Sequence, residues 1–257
     1  MPIVTLTTDI GLQNYYAALI KGALFGACPE VQIVDIATNI NNYDIVQAAY
    51  VLRHAWKSFP PGTIHLIGVN DLASAEQRFL LVQQNNHYFV APNNGIFSLL
   101  FDNIENQVYE LPWPEEGSFP IKEIFARTVG LLHQNTDLET IGQPIHEIIR
   151  RITLQPVVTA NQIRGTIVYV DEYENTVVNV TRELFEHTGK GRDFTLHFKR
   201  HDPIKMLSQH YFDVPIGEIL CLFNSAGYLE IAINLGKASS LLGLKLEDTV
   251  QIDFKNP

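Results

Sequence analysis

Short β-branched runs alternate with helical spacings through the first half of the chain. Ile3 to Thr7 predicts a strand, and Tyr15 to Ala27 predicts a helix with Leu19, Ala23 and Phe25 among its apolar positions, ended by Pro29. Gln32 to Ile36 predicts a second strand. Asp44 to Trp56 carries Ile45, Ala48, Ala49, Leu52 and Ala55 on one helical side, and Pro60-Pro61-Gly62 stops it. Thr63 to Val69 continues as a third strand. Phe79 to Gln83 and His87 to Ala91 flank the polar turn Gln84-Asn85-Asn86 and predict a hairpin; Glu123 to His133 predicts a further helix. This alternation is expected of an α/β unit with a mainly parallel sheet.

The pattern changes after Gly142. Ile163 to Asp171, Asp193 to Phe198, Glu218 to Phe223, Leu229 to Ile233 and Thr249 to Asp253 are all strand-like, with few helical stretches between them. The reading is an α/β unit over residues 1–150 and a smaller, mostly β, barrel-like unit over 151–257. Gln143 to Thr159 is the connecting stretch.

At 257 residues, with 46% apolar and 18% charged, the chain has enough apolar surface to fold by itself. A formal charge of -10 repels polyanions, so nucleic acid is not an expected partner. Cys28 and Cys221 lie far apart without metal-type spacing, which argues against a disulfide framework and a zinc site and fits a reducing, cytoplasmic setting. Lys21 interrupts the best early apolar stretch and no leader pattern opens the chain, so neither a membrane span nor secretion is expected.

Asp9, in Thr7-Thr8-Asp9-Ile10-Gly11, follows the first strand, where ligands of open α/β sheets gather. A carboxylate there can accept from both hydroxyls of a ribose; it is equally a natural turn or cap residue. No glycine-rich phosphate cradle follows, which favours a nucleoside over a dinucleotide. Tyr43 precedes the second helix and could stack on a sugar or base, with Asp44 or Asn42 as the cap.

Thr8-Asp9-Ile10-Gly11, Tyr43-Asp44-Ile45, Phe59 to Leu66, Ala91-Pro92-Asn93-Asn94-Gly95, Val170 to Asn175, Asn179 and Asn224 to Ala232 run in order along nearly the whole chain. In these segments it resembles the S-adenosylmethionine hydroxide adenosyltransferases, relatives of the fluorinase and chlorinase. The resemblance implies an α/β N-terminal domain, a β-barrel-like C-terminal domain, S-adenosylmethionine as substrate without a cofactor or metal, and a homotrimer. Carried over by position, Asp9 would hold the ribose diol and Tyr43 would stack. Asn175 would meet the adenine edge, Asp171 the methionine ammonium and Ser225 its carboxylate. The backbone near Leu235 would take the adenine amine, and Glu230 matches a glutamate of the hydrolytic branch.

The family's catalytic positions are altered. An Asp and an Arg seven residues apart align with Asn70 and Gln77, while Asp71 and Arg78 keep that spacing one residue later, so a shifted loop would restore the pair. The family histidine falls at Pro120, and Asn93 stands at an aspartate position. Displacement at C5′ has a good leaving group in the neutral thioether, so the demand lies in aligning and deprotonating water, help worth about 100-fold to 10,000-fold. Three readings follow: a hydrolase giving adenosine and methionine with Asp71 and Arg78 catalytic, an adenosyl-binding protein without turnover, or a transferase using another nucleophile or adenosyl substrate.

Overall fold

The computed structural model describes residues 1–11, 13–71, 77–104, 107–114 and 119–255. It divides into two compact units, Met1–Ile152 and Thr153–Pro257.

In the first unit, β1 (Ile3–Thr8), α1 (Tyr15–Ala27), β2 (Gln32–Ala37), α2 (Ile45–Ala55) and β3 (Ile64–Gly68) succeed one another much as their patterns predict. The hairpin of β4 (Phe79–Gln84) and β5 (His87–Pro92) turns through Asn85 and Asn86, both left-handed at φ 51° and 60°. Paired positive φ values match the right-handed twist of the flanking strands, and Asn tolerates them. Then come α3 (Ile96–Leu100), β6 (Val108–Leu111), α4 (Pro120–His133), α5 (Leu138–Ile141) and β7 (Gln143–Pro144). The strand order is β2-β1-β3-β5-β4-β6-β7.

The expected mainly parallel sheet is instead mixed. β2, β1, β3 and β5 run parallel, whereas β4, β6 and β7 are added antiparallel. The physical reason is the tight β4–β5 turn, which can only join antiparallel neighbours. Helices cover both faces. Leu52 and Trp56 of the α2 side pack with Ile67, Leu80 and Phe89, and Leu24, Phe125 and Val129 pack on the opposite face with Leu6, Leu66 and Val90. Helix α1 buries Ile20 and Leu24, an i, i+4 pair, so Leu19 and Phe25 are exposed rather than on the core stripe.

The second unit contains β8 (Val157–Val158), β9 (Gln162–Val170), β10 (Thr176–Thr181), α6 (Arg182–Gly189), β11 (Phe194–Phe198), β12 (Ile219–Phe223), β13 (Tyr228–Ile233), α7 (Ala238–Leu242) and β14 (Thr249–Phe254). Its antiparallel sheet, ordered β11-β14-β9-β10-β13-β12, curls into a half-barrel around Ile163, Val178, Leu196, Ile231 and Ile252. The segment between its two edge strands bridges to both, through Leu196–Ile204 and Leu207–Cys221. Strand β10 contains Asn179, whose carboxamide accepts from Thr166 N–H and donates to Leu154 O, each at 2.7 Å, beside a break in the β9–β10 register.

Candidate functional site

In the first unit the candidate residues gather at the carboxyl ends of β1 and β3. Asp9 Oδ2 accepts from the backbone N–H of Tyr43 at 2.8 Å and of Asn70 at 3.2 Å, while Asn42 Nδ2 donates to the Asp9 carbonyl at 3.3 Å. The other Asp9 oxygen takes no hydrogen bond from the described residues. One carboxylate therefore ties the loop before α2 to the loop after β3 and keeps an acceptor in reserve.

Both tied residues are left-handed, Tyr43 at φ 68° and Asn70 at φ 52°. Such conformations are costly for non-glycine residues and persist where neighbours over-determine them, as the Asp9 hydrogen bonds do. Tyr43 is 70% exposed, so its side chain is accessible from solvent. Asp44 caps α2 through Gln47 N–H at 2.8 Å, so the expected cap and the candidate aromatic sit side by side.

Asp71 follows Asn70 directly. Its half-buried position raises its carboxyl above the usual aspartate range, and the nearby Asp9 charge pushes the same way. Arg78 lies elsewhere in its bonding: it is exposed and ion-paired with Glu110 of β6 at 3.2 Å. Among the described residues no ion pair joins Asp71 to Arg78. The stretch between Asp71 and Gln77, on which a one-residue loop shift depends, lies outside the described residues. Gln77 itself donates to the Arg78 carbonyl at 3.2 Å.

Pro120 is the first residue of α4, a position where its missing N–H costs nothing. Ile121 beside it is buried, and its Cδ1 lies 2.4 Å from where a Gly68 Cβ would stand, with Thr8 Cγ2 at 3.4 Å. The end of the site where the resemblance leads one to expect an imidazole is thus filled by aliphatic atoms. Thr8 places a buried hydroxyl on that face, and Thr7 one on the opposite face of β1, each without a hydrogen-bond partner among the described residues. Asn93 serves the backbone, accepting from Ile149 N–H at 2.9 Å.

In the second unit Asp171 and Asn175 close the β9–β10 turn. Asp171 Oδ1 accepts from Asn175 N–H at 2.7 Å and Oδ2 from Asn175 Nδ2 at 3.0 Å, with Glu174 left-handed between them. The buried Asn175 has its backbone N–H and one of its two carboxamide N–H donors on Asp171, which leaves its carbonyl oxygen and the second N–H uncommitted among the described residues. Ser225 is exposed in the turn before β13. That turn is shaped by Asn224, whose Oδ1 accepts from Ala226 and Tyr228 N–H, each at 3.1 Å.

Glu230 is 3% exposed and both its oxygens are occupied, by Tyr211 Oη at 2.7 Å and Asn224 Nδ2 at 3.2 Å. Burial raises its carboxyl above the usual range, against the lowering effect of these hydrogen bonds, and Asp171 adds to the rise. Burial and the bond to Glu230 likewise raise the Tyr211 hydroxyl. Leu235 is 84% exposed and left-handed at φ 52°, presenting its backbone at the end of β13. Asn94, Tyr211 and Asn224 are the polar residues that sequence reasoning did not single out as site residues. Their signal was available only as membership of quoted segments or, for Tyr211, not at all.

Among the described residues no group of three His, Cys, Asp or Glu side chains is arranged to hold a metal ion, and no helix is long and apolar enough to cross a membrane.

The chain is of a two-unit class, an α/β unit with a mixed sheet and a carboxylate at the end of β1, followed by a curled antiparallel unit. The match to family models makes this particular: residues 4–142 match the SAM hydroxide adenosyltransferase N-terminal domain and residues 165–251 its C-terminal domain. The chain belongs to the SAM hydroxide adenosyltransferase family. It is 26% identical to a (R)-S-adenosyl-L-methionine hydrolase of Thermus thermophilus, over 94% of this chain and 96% of the relative. It is 24% identical to a fluorinase of Nocardia brasiliensis, over 98% and 96%. Among solved structures, an uncharacterized conserved protein from Thermotoga maritima superposes with a TM-score of 0.86 at 28% identity, covering 97% of this chain and 99% of that one.

Proposed function

We propose that the protein binds S-adenosylmethionine and transfers its adenosyl group to water at C5′, releasing adenosine and L-methionine. The observation that carries this reading is the Asp9 carboxylate, fixed through one oxygen by Tyr43 and Asn70 N–H and left with the other as an acceptor. In this reading the free oxygen takes the ribose diol, Tyr43 stacks, and the Asn175 carbonyl meets the adenine edge. Asp171 faces the ammonium, Ser225 the methionine carboxylate, and the Leu235 backbone the adenine amine. Glu230 acts indirectly, through Asn224 and Tyr211.

Asp71 is the base in this reading, because its raised carboxyl sits one residue from the Asp9-bound peptide. Arg78 would have to leave Glu110 to assist it. The reading is completed by assembly as a homotrimer in the cytoplasm; sedimentation checks the assembly.

A second reading, an adenosyl-binding protein without turnover, is favoured by the Pro120–Ile121 filling and the Arg78–Glu110 pair. Incubation with S-adenosylmethionine in oxygen-18 water decides between them. Label at the 5′-hydroxyl of released adenosine is the expected result; stable retention of intact S-adenosylmethionine supports the second reading, and an adenosyl product bearing another nucleophile would replace water in the first.

A further inference from the structure

Asn94 is 5% exposed and has no ligand role in the reading above. Its Nδ2 donates to two backbone carbonyls, Val69 at 3.0 Å and Asn70 at 3.2 Å, and its Oδ1 accepts from Ile96 N–H at 3.2 Å. Among the described residues every hydrogen bond of this side chain therefore goes to main chain, and two of them go to one stretch 24 and 25 residues earlier.

The anchoring of Asn94 itself is firm. Its N–H reaches Pro92 O at 2.9 Å and its carbonyl accepts from Arg151 Nε at 3.2 Å. Gly95 follows at φ 103°, with Arg151 Cγ only 2.4 Å from where a Cβ would stand, so neither the conformation nor the space there suits a larger residue.

Asn70 is consequently held at both ends. Its N–H goes to Asp9 and its carbonyl to Asn94, across a left-handed φ of 52°. The next side chain in the chain is Asp71, whose direction is set by that peptide. We propose that Asn94 is a positioning residue: together with Asp9 it locks Asn70 in the left-handed conformation and so keeps the Asp71 carboxyl inward, beside Asp9. The role in turnover rests on the hydrolase reading; the geometric role does not.

An aspartate at 94 would keep the shape but turn two donors into acceptors facing carbonyl oxygens, and an alanine would leave those carbonyls without their donor. Either change frees the Asn70 peptide to relax and lets Asp71 swing toward water. Asp9 is the charged neighbour whose influence Asp71 then loses.

The test uses the full chain with carbon-13-labelled aspartate, Asp71 being assigned by its disappearance in Asp71→Asn. In the unsubstituted protein Asp71 titrates above the ordinary aspartate value of about 3.9. In Asn94→Ala it returns toward that value, kcat for S-adenosylmethionine falls by about 100-fold as expected of a misplaced reacting group, and the adenosine Kd stays within about threefold of its starting value. Asn94→Ser, smaller and uncharged, repeats the measurement should the alanine variant fail to fold. A folded variant with a lowered melting temperature but unchanged Asp71 titration overturns the proposal and leaves Asn94 a purely structural residue. If the unsubstituted protein cleaves no S-adenosylmethionine, the hydrolase reading fails while the titration still decides the positioning claim.

Discussion

Asp9 and Glu230 are both carboxylates beside loops that the family resemblance assigns to ligand, and they are held in opposite ways. Asp9 is partly exposed, anchored on one oxygen by two backbone N–H groups, with its second oxygen uncommitted among the described residues. Glu230 is buried and saturated, one oxygen on Tyr211 and the other on Asn224. A position in a family motif therefore does not by itself distinguish a group that touches ligand from one that shapes a turn. What differs here is how the two hydrogen bonds made by each carboxylate are shared out: both fall on one oxygen of Asp9, whereas Glu230 takes one on each oxygen.

The largest effect expected concerns the neighbour of the Asp9-bound peptide. With Asp71 as the proposed base, Asp71→Asn preserves shape but cannot take a proton, so turnover should fall by about 100-fold to 10,000-fold with adenosine affinity little changed. Because the Asp71 carboxyl is raised, activity in the unsubstituted protein should be lost on acidification at a pH above the ordinary aspartate range. Steady-state rates and calorimetry check both points. Equal rates for the two proteins would return Asp71 to an ordinary loop residue.

A smaller effect, of opposite character, is expected at Glu230. Its folded-state carboxyl is raised, so it contributes stability below the unfolded value and this is lost as pH rises through the folded one. Glu230→Gln should keep adenosine affinity within about threefold, since the side chain is not required as a ligand acceptor, one hydrogen bond being worth about 1 kcal/mol. Its melting temperature should gain on the unsubstituted protein as pH is raised. A large loss of affinity without loss of stability would make Glu230 a ligand group and erase the contrast with Asp9.

What could be read from sequence divides along similar lines. Helix α2 with its Asp44 cap and the Asn85-Asn86 hairpin were legible because propensity, capping and turn chemistry agree locally. Helix α1 was found, but not its buried face, because a helix apolar all round carries no periodic signal. Strand β6 is four residues long and was not predicted. With it went the partner of Arg78, since Glu110 reaches Arg78 only through the β4–β6 pairing. The hairpin itself implies one antiparallel pair; the missed β6 hid how far the antiparallel part extends, through β6 to β7. Asp9 and Asn175 were visible as residue types in motifs, whereas the bonds that use Asn94 and Asn224 depend on the folded paths of loops.

A further effect, on stability alone, lies away from the candidate site, in the core of the first unit. Thr5 Oγ1 meets His65 Nδ1 at 2.7 Å, and His65 Nε2 meets His87 Nδ1 at 3.1 Å. Burial lowers His65 to about 3, with the adjacent His87 adding to it, and burial lowers His87 also. Folded histidines that resist protonation bind fewer protons than the unfolded chain, so stability should fall as pH drops below about 6.5, by up to roughly 1.4 kcal/mol per pH unit for His65, with His87 acting in the same direction. His65→Gln should flatten that slope in urea unfolding. A slope unchanged by the substitution would remove His65 from the acid response and leave the carboxylates as the titrating groups.

The contrast between a half-free Asp9 and a saturated Glu230 is tested most directly by comparing adenosine with 2′,3′-dideoxyadenosine by calorimetry, in the unsubstituted protein and in Asp9→Ala. If the free Asp9 oxygen accepts from the ribose diol, the unsubstituted protein prefers adenosine by about tenfold or more, as expected for hydrogen bonds to a charged acceptor. That preference then collapses toward unity in Asp9→Ala while dideoxyadenosine affinity changes little. An equal preference for adenosine in both proteins would contradict the account.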